Sequence, residues 1–171
     1  MSNNGSQELC KKLTLTEHEV SLIKKLVLEC ETYEALHMPI VWQNLLERPA
    51  NAINDFLYYV NGELVGYLTL NDTDPVLNEL VGVVHPAYRR RGIFRQLLHA
   101  VREEHHRPDE KQLFLTCEHT SSSGHGFIQA IGAKHIVSEY EMVCTDFQER
   151  RAFDEHLSFR KAESSDLETI I

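Results

Sequence analysis

The sequence predicts an α+β fold, a mixed and mostly antiparallel sheet flanked by helices, in a chain of 171 residues. Three observations carry this. Residues 55–60 and 63–70 are apolar and aromatic runs joined by Asn61-Gly62, the pair a type I′ hairpin turn favours. Residues 78–101, NELVGVVHPAYRRRGIFRQLLHAV, change from a period of two to a helical period across a short basic loop, so a strand gives way to a helix. Residues 111–117 alternate again after that helix, and a strand–helix–strand crossover makes this strand parallel to the earlier one.

The other elements follow in order. Residues 1–8 are polar and expected to fray, and residues 11–15 read as a first strand. Thr16 and Glu19 have the spacing of a capping box, and Val20, Ile23, Leu26 and Val27 continue as a helical stripe to Cys30. A second helix is expected over 36–47, with Pro39 tolerable only in its first turn and Trp42, Leu45 and Leu46 as its buried face. In the hairpin, Leu64, Gly66, Leu68 and Leu70 share a face; residues 71–75 are a turn cluster. In the central strand Leu77, Glu79, Val81 and Val83 take one face, and Val76, Leu80 and Val84 the other, so both faces are covered. His85-Pro86 ends it. Ile93, Phe94, Leu97, Leu98 and Val101 make the next apolar stripe, and 103–109 is a polar loop. In 111–117, Leu113, Leu115 and Cys117 face one way, Phe114 and Thr116 the other. Ser121-Ser122-Ser123-Gly124 caps a short helix bearing Phe127, Ile128 and Ile131, which Gly132 ends; residues 133–145 read as a further strand. Residues 146–156 suggest a helical linker. Residues 157–162 read as a strand, and Ser165 to Glu168 as a second capping box. That order repeats the start of the chain, so the expected domains are 1–145, a linker at 146–156, and the opening of a truncated second domain at 157–171.

Composition bounds the function. A net charge of −9 argues against bulk nucleic-acid binding, which needs a basic face. No apolar run is long enough for a membrane and the first residues lack a signal-peptide core, so the expected compartment is the cytoplasm. Cys10, Cys30, Cys117 and Cys144 are widely spaced and read as reduced thiols. The histidine pairs lack the spacing of common zinc motifs, so no metal is expected.

Between the central strand and its helix stand Arg89, Arg90, Arg91 and Gly92. A helix start offers unpaired N–H groups and a positive dipole end, glycine permits close approach, and arginine adds forked donors. Together they describe a site for a phosphate or pyrophosphate. No Gly-Lys-Ser/Thr follows, so this is no Walker A loop, and one glycine cannot supply the dinucleotide fingerprint.

Arg89-Arg90-Arg91-Gly92-Ile93-Phe94 resembles the Arg/Gln-x-x-Gly-x-Gly/Ala signature of the GNAT superfamily of acyl-CoA-dependent N-acyltransferases, and His85-Pro86 and Arg95-Gln96-Leu97-Leu98 resemble its surroundings. Phe94 departs from the second small residue. The resemblance implies a GNAT fold in which the two parallel central strands splay apart. It also implies that acetyl-CoA lies with its pyrophosphate on the backbone of residues 89–95 and its pantetheine arm on Val83 and Val84. The first two helices would line the acceptor pocket. Residues 128–133 resemble the family's last conserved unit, but Ile128 stands where a tyrosine, often the general acid, is usual.

Acyl transfer to an amine needs a base, a polarised carbonyl and a leaving thiol. Glu79 is the candidate base, near the offset where many members of this family carry a catalytic glutamate. The resemblance implies that the N–H of Val84 or Val83 polarises the carbonyl. For the acid, Glu118, His119, Ser122 and His125 fall at the next strand end or helix start, and His125 has a suitable intrinsic pKa. The expected function is acetyl transfer from acetyl-CoA to an amine of a small molecule or protein, with a tandem domain or homodimer as further partners. The alternative is a degenerate coenzyme-binding domain that regulates or scaffolds a tandem partner; a third reading, a nucleotide- or phosphate-sensing domain, would bind nucleotides lacking pantetheine.

Overall fold

Five strands form one sheet in sequence order: β1 (Gln7–Lys12), β2 (Asp55–Val60), β3 (Glu63–Asn71), β4 (Leu77–Val84) and β5 (Gln112–Leu115). The first three pairings are antiparallel and β4·β5 is parallel. In this computed structural model residues 6–71, 77–105, 112–140, 142, 144, 156, 158–161 and 163–166 are described. The chain divides into two compact units, residues 1–134 and 135–171.

In the first unit, helices cover both faces of the sheet. On one side α1 (Glu17–Glu34) and α2 (Trp42–Glu47) pack Ile23, Leu26, Val27 and Leu45 on Leu57, Tyr67, Val81 and Val83. On the other, α3 (Ile93–Glu104) buries Ile93, Leu97, Leu98 and Val101 against Phe56, Leu68, Leu70 and Leu80. α3 packs tightly over Gly66: a Cβ there would lie 2.8 Å from Ile93 Cγ2, so only glycine fits.

The capping box is present: Thr16 Oγ1 accepts from the Glu19 N–H at 3.2 Å and Glu19 Oε2 accepts from the Thr16 N–H at 2.8 Å. The hairpin turn has Asn61 at φ 52° and Gly62 at φ 82°, the two positive values a type I′ turn requires.

Several elements differ from the reading of the sequence. The first strand begins earlier, at Gln7, because it pairs along all of β2 from Gln7↔Val60 to Lys12↔Asp55. Ala35 turns left-handed at φ 54° to end α1, and Pro39, which lacks an N–H, stays outside α2, which begins only at Trp42. Leu45 is buried there, but Leu46 is exposed. Leu64 does not share a face with Gly66. The β2·β3 register shifts between Tyr58↔Gly66 and Tyr59↔Leu64, so Val65 is an extra residue and the bulge turns Leu64 towards the α1 side. Of the expected strand 111–117, β5 takes Gln112–Leu115 and ends before Thr116 and Cys117; residue 111 lies outside the described residues.

α4 (Ser122–Ala130) is N-capped by Ser121, whose Oγ accepts from the Gly124 N–H at 3.1 Å. Gly132 follows at φ 67° and closes the helix with the bonds Gly132 N–H to Gln129 O and Ala133 N–H to Ile128 O.

The described part of 133–145, which belongs to the second unit from residue 135 on, contains no strand, against expectation. Its alternating side chains Ile136, Tyr140 and Met142 are exposed, so neither face of the segment has a core to pack on. Residues 158–161 are likewise not a strand. Ser164–Asp166 forms a 3₁₀ turn in which Asp166 accepts from the Glu163 N–H at 2.7 Å and pairs with Arg160 at 2.6 Å. Of the expected linker only His156 lies among the described residues, and Leu167 and Glu168 of the second capping box lie outside them.

Candidate active site

The sheet opens where β4 outruns β5. Their pairing runs from Leu77↔Gln112 to Leu80↔Leu115, with one more bond from the Thr116 N–H to Leu80 O at 3.1 Å. β4 continues to Val84 alongside β3 only. Backbone groups alternate sides along a strand, so Gly82 and Val84, like Leu80, direct theirs towards the open side. Val83 pairs with Tyr67 of β3, and His85 donates to Val65 O at 2.8 Å. Of the two residues expected at the pantetheine arm, Val84 therefore faces the opening and Val83 does not.

The Val84 carbonyl already accepts from Arg89 Nε at 3.0 Å and from the Cys30 thiol at 3.5 Å. Burial pushes that thiol up to about 11, against the opposing pull of Arg89.

At the start of α3 the helix is left open. Arg90 holds φ 64° and Gly92 φ 81°, and no side chain caps the first turn. Gly92 O accepts from the Gln96 N–H at 3.0 Å, which leaves the N–H groups of Ile93, Phe94 and Arg95 as the donors of the helix end. A Cβ built on Gly92 would meet nothing within 4 Å, so the glycine itself borders open space. Ile93 is buried against the sheet, and Phe94 turns into an edge-to-face contact with Phe127 of α4, their centroids 4.7 Å apart. The bulky departure from the motif thus packs inward.

The arginines divide their work. Arg90 and Arg95 are exposed. Arg91 donates to Ala87 O at 2.9 Å and lies over the Tyr88 ring. Arg89 points away from the helix start: it pairs with Glu34 at 2.9 Å and stacks on Tyr33, 5.4 Å from its centroid. Its role is to lock the loop to the end of α1. Beside the loop, Glu29, Tyr33, His85, Pro86 and Ala87 line an open cleft of about 410 Å³.

Glu34, which nothing in the sequence signals, is the hub of this corner. Besides Arg89 it accepts from Ser123 N at 3.2 Å, Ser123 Oγ at 2.9 Å and Ser122 Oγ at 3.2 Å, tying α1 to the start of α4. Burial alone would push its carboxyl up, but the Ser123 bonds, the Arg89 charge and the Ser122 bond together hold it below the usual glutamate value.

Glu79 is half-buried on β4, one residue before the parallel pairing ends, on the face of α1 and α2. Thr116 Oγ1 donates to its Oε1 at 2.6 Å and Asn71 Nδ2 to its Oε2 at 3.4 Å. It lines a cavity of about 30 Å³ with Pro39, Ile40, Val41, Leu45, Arg48 and Val81 among others, enough for about one water. Below this cavity Arg48 pairs with the fully buried Asp55, which also accepts from Tyr67 Oη at 2.6 Å. Removing one partner of such a buried pair costs about 3–5 kcal/mol.

His125 is not joined to this group. Its Nε2 lies 3.0 Å from His119 O and its ring is edge-on to His119. Its bonding partner is thus a carbonyl of the turn that leads into α4.

Comparison with known proteins places these features in a family. The acetyltransferase (GNAT) family model matches residues 20–133. No curated protein sequence matches the chain. Among solved structures, a ribosomal-protein-alanine N-acetyltransferase from Brucella melitensis biovar Abortus 2308 is 19% identical with a TM-score of 0.60, over 81% of this chain and 100% of that one. The aminoglycoside N-acetyltransferase AAC(6')-Iy in complex with CoA is 17% identical with a TM-score of 0.56, over 84% and 99%. A GCN5-related N-acetyltransferase from Sphaerobacter thermophilus is 17% identical with a TM-score of 0.59 over 73% of this chain, which spans only 42% of that longer protein.

Proposed function

Because the chain belongs to the acetyltransferase (GNAT) family, we propose that it transfers an acetyl group from acetyl-CoA to a primary amine of a small molecule or a protein, in the cytoplasm. One observation carries this reading: an uncapped helix start stands beside a sheet that opens after Leu80, with the Glu79 carboxylate where the strands part. The residues fit the coenzyme. The N–H groups of Ile93, Phe94 and Arg95 would hold its pyrophosphate with Arg90 and Arg95 as counter-charges. Gly82 offers its backbone groups to an amide-bearing arm, while the Val84 carbonyl is already taken by Arg89 and Cys30.

When bound, acetyl-CoA supplies the thioester carbonyl to which the amine adds. Glu79 takes the proton of the amine, and the N–H of Val84 steadies negative charge on the carbonyl oxygen. A dedicated acid is dispensable because a thiolate is a tolerable leaving group, and His125, bonded to His119 O, is the less favoured donor. The small cavity beside Glu79 suits a compact amine end.

The test is release of free thiol from acetyl-CoA with lysine, spermidine, sisomicin or a peptide with N-terminal alanine. At least one amine accelerates release, and Glu79→Gln lowers kcat about 100-fold with coenzyme affinity kept. Unchanged turnover clears Glu79 of the role. Coenzyme binding without turnover for any amine favours the second reading, a regulatory domain. The isoleucine at position 128 supports that alternative. It assigns residues 157–171 to the opening of a tandem domain.

A further inference from the structure

We propose that Thr116 is a positioning residue for acyl transfer, holding Glu79 so that Oε2, not Oε1, takes the proton of the attacking amine; this deepens the acetyltransferase reading and rests on it. Thr116 follows β5 directly. Its N–H makes the last bond to β4, at Leu80 O. Its side chain falls on the face of Phe114, the residue opposite Glu79. From there Oγ1 reaches Oε1 at 2.6 Å, a short charge-assisted bond, whereas the Asn71 bond to Oε2 is long at 3.4 Å. The carboxylate is held between Asn71 at the end of β3 and Thr116 just after β5, at the level where β4 and β5 part. Oε1 carries the short bond; Oε2, held only by the long Asn71 bond, is the oxygen more available to receive a proton. As the amine attacks, its N–H bond breaks and an O–H bond forms on Oε2. The nitrogen lone pair forms the C–N bond and the C–S electron pair leaves with sulfur.

Thr116→Val removes the donor and keeps the branched shape; Thr116→Ser keeps the donor. Both, with Glu79→Gln, are assayed with acetyl-CoA and the fastest amine of lysine, spermidine, sisomicin and the alanine peptide, and titrated calorimetrically with CoA. Thr116→Val is expected to lower kcat about tenfold while the amine KM and the CoA affinity stay within about twofold, and Thr116→Ser to recover most of the rate. Parental kcat in Thr116→Val beside a slow Glu79→Gln overturns the positioning role and leaves Glu79 as the base. A serine variant as slow as the valine variant, or a loss confined to KM or to CoA affinity, overturns it as well. A fast Glu79→Gln, or no amine that speeds thiol release, removes the base itself and this inference with it.

Discussion

The starts of α1 and α3 meet the same physical demand in opposite ways. Both helices begin with N–H groups that have no partner within the helix. At α1 the protein closes the account with its own side chains: Thr16 and Glu19 cap each other, and Lys12 pairs with Glu19 at 2.7 Å. At α3 the cap is a left-handed glycine with no side chain to give, no acid stands in the first turn, and the glycine borders open space. The same backbone groups stabilise the fold in one place and await a ligand in the other. The helix that gives up a capping bond of about 1 kcal/mol is the one that adjoins the gap in the sheet.

The largest effect that tests this contrast comes from Gly92→Glu. A side chain at φ 81° is strained, and a carboxylate there repels a diphosphate and takes its donors, so CoA affinity should fall about 100-fold or more in calorimetry while the far-UV spectrum is kept. Undiminished binding would mean that the open helix start is not the anion site. Thr16→Ala is the mirror experiment. It should cost about 1 kcal/mol in chemical denaturation and leave CoA affinity unchanged. Acid sharpens it. Burial raises the Glu19 carboxyl, but the Lys12 and Thr16 bonds outweigh it and hold the folded value below 4.5. Its stabilising contribution is therefore complete above pH 4.5 and fades as pH falls through the lowered value. The stability gap between parent and Glu19→Gln should close over that range. A gap that persists at lower pH would show that Glu19 acts through packing.

Features written in contiguous residues were legible in the sequence. The Asn61-Gly62 turn, the Thr16 box, the strand leading into Arg89–Gly92 and the stripe of α3 each depend on a few neighbouring positions, and the fold class follows from their order. What depends on a distant partner was not. The bulge at Val65 exists only in register with β2, so alternation alone assigned Leu64 to the wrong face. Arg89 reads as one of three equivalent cations, yet Glu34, far away in sequence, takes it from the helix start. Thr116 is half of an alternating pair until β5 lies beside β4 and its hydroxyl meets Glu79. The alternation of 133–145 promised a strand, but alternation supplies faces and not a partner edge, and its described residues form none.

Backbone amide NMR on the ¹⁵N-labelled full chain sees both helix starts in one spectrum and tests the central claim most directly. On titration with CoA, the amides of Ile93, Phe94 and Arg95 should shift strongly and saturably, and those of Glu17, His18 and Glu19 should stay in place. Saturable binding that leaves the α3 amides unmoved, or that moves the α1 amides as far, would contradict the assignment of the diphosphate to the helix that carries no cap.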